Sequence, residues 1–103
     1  MGLQIIVKKR FLNSFKKITT HISNEWGKNA AENFKELVLK KLNAIVSHPS
    51  LGVATSIKNT RSVLVGKNHQ NKLYYRLDKD KIIIVDIKDT RRNPKKNPFN
   101  KPE

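Results

Sequence analysis

The chain has 103 residues, no cysteine, and 22 basic against 8 acidic residues, for a formal net charge of +14. That length suits one domain with one core, and the absence of thiols excludes a disulfide framework and a thiolate metal site and fits a reducing cytosol. Hydrophobic residues make up only 37% of the chain, yet they are clustered, which predicts a compact core rather than disorder.

The charge is unevenly spread. Residues 1–24 carry Lys8, Lys9, Arg10, Lys16 and Lys17 with no acid, and residues 49–77 carry Lys58, Arg61, Lys67, Lys72 and Arg76 with none. Residues 25–48 are nearly balanced. Such a field draws nucleic acid or an acidic protein without choosing between them. The longest apolar run, Ile82 to Val85, is far too short to cross a bilayer, so no membrane partner is expected. Met1 to Arg10 places its basic residues after its apolar ones, the reverse of a secretory signal. A cytoplasmic protein is therefore expected.

Leu3 to Val7 is rich in β-branched residues and reads as a short strand ended by Lys8-Lys9-Arg10. The period then changes. Phe11, Phe15, Ile18, Ile22 and Trp26 form one stripe of an amphipathic helix, with Trp26 expected in the core. Gly27 stands where that helix would stop in the left-handed conformation. Asn29 and Glu32 have capping-box spacing and open a second helix through Ala30, Phe34, Leu37, Val38, Leu42, Ile45 and Val46, ended by Pro49. So short a connection requires an antiparallel helical hairpin.

Leu51 to Asn59 has no clear period and reads as a loop. Arg61 to Val65 is the second strand, followed by a polar turn from Gly66 to Asn71. Lys72 to Leu77 is the third, with Leu73, Tyr75 and Leu77 on one face and Lys72, Tyr74 and Arg76 on the other. Asp78-Lys79-Asp80 turns into the fourth strand, Lys81 to Lys88. Its nearly continuous apolar content predicts a central position in the sheet. Asn93, Pro94, Asn97, Pro98 and Pro102 forbid regular structure beyond it. The expectation is an α+β domain over residues 1–92 with a basic tail over 93–103. Its order is β-α-α-β-β-β, an antiparallel meander with the helical hairpin on one face. The opposite face should collect Lys72, Tyr74, Arg76 and Arg61.

Three segments in this order resemble the RelE/ParE family of bacterial toxins from type II toxin–antitoxin systems. They are the helical hairpin Phe11–Val46 closed by His48-Pro49-Ser50-Leu51-Gly52; Arg61-Ser62-Val63-Leu64-Val65 with Lys72-Leu73-Tyr74-Tyr75-Arg76-Leu77; and Ile82-Ile83-Ile84-Val85-Asp86-Ile87 ending in Asp89-Thr90-Arg91-Arg92-Asn93-Pro94. The resemblance runs from Ile5 to about Lys96. It implies a growth inhibitor neutralised by a cognate acidic antitoxin in a hetero-oligomer. Its target is either DNA gyrase, inhibited without hydrolysis as in ParE-like members, or ribosome-bound mRNA, cut as in RelE-like members. One fold carries both activities and does not decide between them.

Metal-free RNA cleavage needs a 2′-hydroxyl deprotonated, phosphorane charge stabilised and a leaving oxygen protonated. The resemblance to RelE-like ribonucleases puts Lys72 and Arg92 (or Arg91) at the family's basic positions. Lysine at the first forgoes bidentate phosphate contact. Those nucleases also carry a tyrosine or histidine after the last strand, whereas here only Phe99 is aromatic beyond Arg92. His69, in the turn before the third strand, is the substitute candidate, against the ordinary reading of a solvated turn histidine. The missing residue favours the ParE-like mode.

In either mode Arg61, Lys72, Tyr74, Arg76, Arg91 and Arg92 are the candidates for target or phosphate contact. Tyr74 could stack on a base, although a strand tyrosine more often packs. His21 and His48 read as structural or exposed, and Lys8, Lys9, Arg10, Lys16 and Lys17 as a solvated helix face that could also meet an acidic antitoxin. No glycine-rich phosphate loop and no metal-ligand spacing occurs, so no cofactor is expected. A non-toxic nucleic-acid-binding module is the remaining class.

Overall fold

The computed structural model describes residues 4–66 and 71–89. In chain order they form β1 (Gln4–Val7), α1 (Lys9–Trp26), α2 (Lys28–Ser47), β2 (Val53–Ala54), β3 (Thr60–Val65), β4 (Asn71–Asp78) and β5 (Lys81–Asp89). The strands make one sheet in the order β1-β5-β4-β3-β2. The meander β3-β4-β5 is antiparallel, as expected.

Two features lie outside the expected meander. β1 pairs with β5 in parallel, Ile5 opposite Ile82 and Val7 opposite Ile84, which places the apolar β5 between two strands. The segment read as a loop contains β2, whose Val53 and Ala54 pair with Ser62 and Arg61. Two residues are too few to leave a periodic signal in sequence.

The core lies between the sheet and the helical hairpin. Phe11 of α1 and Phe34, Val38 and Ile45 of α2 meet Val63, Val65, Leu73, Tyr75, Ile82, Ile84 and Ile87 of the sheet. Phe11 and Phe34 both stack on Phe15, with ring centroids 5.8 and 6.0 Å apart. β5 keeps three isoleucines on this face by a register shift. Tyr74 pairs with Asp86 but Tyr75 with Ile84, leaving Val85 as the extra residue of a β-bulge. The bulge changes the phase of the alternation, so Ile87 points the same way as Ile82 and Ile84.

The helical stripe stops short of its expected end. Ile22 packs against the core, but Trp26 is 77% exposed. It stands in the last turn of α1, beyond the reach of the sheet. The connection to α2 is a single residue, Gly27, with φ 96° and ψ 168°. Its φ is one that glycine adopts freely, but its ψ is not that of a left-handed helix cap. Its N–H donates to Ser23 O at 3.0 Å while its own carbonyl accepts from Ala31. With the reversal made at Gly27, α2 begins at Lys28 and the Asn29–Glu32 capping box does not form.

Candidate functional site

The sheet face turned away from the helices follows from alternation along the strands. On β4 it bears Lys72, Tyr74 and Arg76, as expected, and on β5 it bears Ile83, Asp86 and Lys88. Arg76 is exposed, opposite Thr60 on one side and Ile83 on the other. Lys72 is half-buried and lies directly opposite Lys88. Like charges facing each other across a ladder repel, so an anion between them would be stabilising. The two ends of the basic row, Lys72 and Arg76, stand about 13 Å apart along the strand.

Tyr74 does not behave as a stacking residue. It is 1% exposed, so no base can reach its ring, and its role is packing in the sheet. Across from it lies Asp86, which is fully buried. Its Oδ1 accepts from the N–H of Ile87 at 2.8 Å. Its Oδ2 lies 2.8 Å from Arg10 Nε and 3.5 Å from Lys88 Nζ, while lacking an aligned hydrogen-bond donor. The compensation at Oδ2 is therefore an ion pair rather than a directed bond. Arg10, in the first turn of α1, was not among the expected site residues. The available signal was Asp86 itself: a carboxylate inside Ile-Ile-Ile-Val-Asp-Ile demands a cation, though nothing local names which one.

Arg61 is on the other side of the sheet. It shares the helix-facing phase of Val63 and Val65 and pairs with Tyr75, which corrects its placement beside Lys72. Its Nη1 donates to Gly52 O at 2.6 Å and approaches Ser50 O at 3.5 Å. Tyr75, fully buried, completes the same clamp. Its hydroxyl donates to Pro49 O and accepts from Gly52 N–H, each at 2.7 Å. Arg61 thus ties the loop after α2 to the sheet, and its charge is partly spent on backbone carbonyls.

Beside β2 an open groove of about 530 Å³ is bounded by Lys41, Leu51, Val53, Leu64, Lys72 and Tyr74. Lys72 therefore borders both the basic face and the groove. His21 and His48 are exposed. His69, Arg91 and Arg92 lie outside the described residues, as does Phe99. Among the described residues no group of His, Asp and Glu is placed to hold a metal ion.

A family model described as "ParE toxin of type II toxin-antitoxin system, parDE" matches residues 5–94. Similar solved structures include the chromosomal ParDE TA system from P. aeruginosa, at 12% identity, with 85% of this chain and 96% of that one covered and a TM-score of 0.74. They also include the intact E. coli RelBE toxin-antitoxin complex, at 13% identity, covering 88% of this chain and 100% of that one, with a TM-score of 0.60. The YoeB dimer from Staphylococcus aureus matches at 16% identity, 85% and 97% coverage and a TM-score of 0.58. A search of curated protein sequences gave no match. At identities this low the TM-scores show a shared α+β fold and nothing more, whereas the family model spans most of the sequence. The chain belongs to the ParE toxin family of type II toxin–antitoxin systems.

Proposed function

We propose that this toxin arrests growth in the ParE-like manner, by binding DNA gyrase without hydrolysing a substrate, and that an acidic antitoxin of the bacterial cytoplasm neutralises it. The observation that carries this reading is the state of the proton-transfer groups on the basic face. Tyr74 is sealed in the sheet and Asp86 is held between Arg10 and Lys88. Among the described residues, what that face offers a target is cationic: Lys72 and Arg76, with Lys88 beside them. Clustered cations dock and orient an anionic partner, whereas strand cleavage also needs a group that gives and takes a proton.

The ParE identity of the matching family model supports the same choice. An acidic antitoxin suits the net charge of +14, and the P. aeruginosa and E. coli structures are of toxin–antitoxin systems. No helix among the described residues is long and apolar enough to cross a membrane. Residues 1–92 form the toxin domain in this reading, with 93–103 as a basic tail contributing to target contact through the adjoining Arg91 and Arg92.

The test is a supercoiling and cleavage assay with purified gyrase, paired with mapping of RNA ends after brief induction. Loss of supercoiling or accumulation of linear plasmid, with transcripts intact, is the expected result. Fresh RNA ends within translated messages, with gyrase unaffected, would overturn it in favour of ribosome-dependent cleavage through Lys72, Arg92 and His69. Replacing Arg91 and Arg92 together with alanine is expected to abolish growth arrest, scored by colony formation under induction.

A further inference from the structure

α1 carries a second cationic surface, separate from the sheet face. Lys9, Asn13, Lys16, Lys17, Thr20 and Asn24 are all exposed. At 3.6 residues per turn they fall within an arc of about 100°, roughly opposite Phe11, Ile18 and Ile22. From Lys9 to Asn24 the stripe is about 23 Å long at 1.5 Å per residue. No Asp or Glu interrupts it: residues 4–24 hold no carboxylate at all.

That composition is unusual for a merely solvated helix. The neighbouring α2 mixes its charges, Lys35 pairing with Glu32 at 3.5 Å. α1 makes no such pair along this stripe. Its first turn has no acidic residue and instead begins with lysine and arginine, where the helix macrodipole favours anions. Arg10 is compensated by Asp86, but Lys9 has no acid near it in sequence. The helix therefore keeps an uncompensated row of cations against its own electrostatic preference.

The stripe is also free of apolar residues. A folded protein partner docks through several buried apolar anchors, and beside this stripe only Leu12, 53% exposed, could serve as one. What it offers are ammonium groups interleaved with Asn and Thr donors. These are the side-chain types that contact phosphate oxygens without reading bases. Duplex DNA presents about one charge per 1.7 Å of axis, so a stripe of this length faces roughly a dozen phosphates.

We infer that the Lys9–Asn24 stripe of α1 is a sequence-independent binding track for the phosphate backbone of duplex DNA. The inference does not depend on the gyrase reading. A protein so equipped holds DNA through its helix and leaves the cationic sheet face free.

The test measures binding of the purified full-length chain to a fluorescent mixed-sequence duplex across a salt series, with no gyrase present. Its outcome is thus separate from that of the gyrase assay. The variant Lys9→Gln/Lys16→Gln/Lys17→Gln is compared with a charge-matched control, Lys28→Gln/Lys40→Gln/Lys58→Gln, whose three lysines are exposed elsewhere. If the stripe makes three phosphate contacts, the slope of log K against log salt should flatten by about 2.7 in the first variant. Between about 50 and about 200 mM salt that difference narrows its affinity gap to the parent roughly 40-fold. The control should flatten by less than about 1.

A second variant, Asn13→Glu/Thr20→Glu, keeps every lysine but places carboxylates in the stripe, and it should weaken binding as well. Circular dichroism and melting curves matching the parent exclude unfolding as the cause. Equal losses in stripe and control variants would reduce the effect to net charge and overturn the inference. So would unchanged binding in the stripe variants, or a loss seen with duplex RNA and not with duplex DNA.

Discussion

Removing a single oxygen by Tyr75→Phe should cost this domain about 1.5–4 kcal/mol. The hydroxyl is buried and makes two short bonds, donating to Pro49 O and accepting from Gly52 N–H, each at 2.7 Å. The Pro49 carbonyl is only partly buried, and its loss is worth about 0.5–1 kcal/mol. Gly52 is buried, so stranding its N–H carries a desolvation penalty of about 1–3 kcal/mol. For a domain of this size the total corresponds to a fall in melting temperature of roughly 7–18 °C. Urea unfolding followed by circular dichroism should show a lower midpoint with an unchanged slope.

Gly52→Ala attacks the same clamp from the other side. A Cβ there would lie 2.8 Å from Tyr75 Oη, 2.9 Å from Tyr75 Cε1 and 2.9 Å from the Ser62 carbonyl oxygen. The Ser62 oxygen belongs to a strand and cannot yield easily, so the tyrosine must move and both hydrogen bonds fail. Since the two substitutions break one device, the double variant should lose less than the sum of the singles, by more than about 0.5 kcal/mol. A Tyr75→Phe loss below about 0.5 kcal/mol, or strict additivity with Gly52→Ala, would refute the claim that this hydroxyl anchors the loop to the sheet.

Two further substitutions test the electrostatics and the edge of the core. Arg10→Ala leaves the buried Asp86 with only Lys88, 3.5 Å away; because Arg10 itself is half exposed, the expected destabilisation is about 1–3 kcal/mol, below the usual cost of breaking a fully buried pair, read as a shift in the urea midpoint. Trp26→Ala should change stability by no more than about 0.5 kcal/mol, since the side chain is 77% exposed. As Trp26 is the sole tryptophan, the parent's fluorescence should be strongly quenched by iodide in the folded state.

Much of the architecture was legible in the residues. The hairpin follows from spacing: Phe11, Phe15, Ile18 and Ile22 recur at helical intervals, as do Phe34, Val38 and Ile45, and burial of such stripes requires the two helices to share one side of a sheet. That β5 is an interior strand fits its apolar run, in which Ile82, Ile83 and Ile84 are all buried, although its actual place is second from the edge, beside the middle strand β4. Reading stripes to their ends fails where the partner surface runs out. Trp26 continues the helical period perfectly well and still faces solvent, because periodicity says which side a residue is on but not how far the sheet extends beneath it.

The candidate site was legible in type rather than in arrangement. Lys72 and Arg76 were correctly placed away from the helices by the alternation of β4. Tyr74 shares their phase yet is sealed, and burial on that face is a matter of tertiary cover. Arg61 was misplaced because no local signal relates its phase to that of β4. That relation is set by the pairing of β3 with β4, in which Arg61 falls opposite Tyr75 and Val63 opposite Leu73.

The basic field, the helical hairpin, the meander and the apolar character of β5 are properties of residue type and period, and the sequence determined them by itself. Only the tertiary structure decided that β1 lies parallel to β5, that Arg10 neutralises Asp86, and that Arg61 and Tyr75 grip the loop through Gly52. Each of these joins residues far apart in the chain. A local pattern reports the demand a residue makes, such as a buried carboxylate requiring a cation, whereas the partner that meets it is chosen by which elements the packed core brings together.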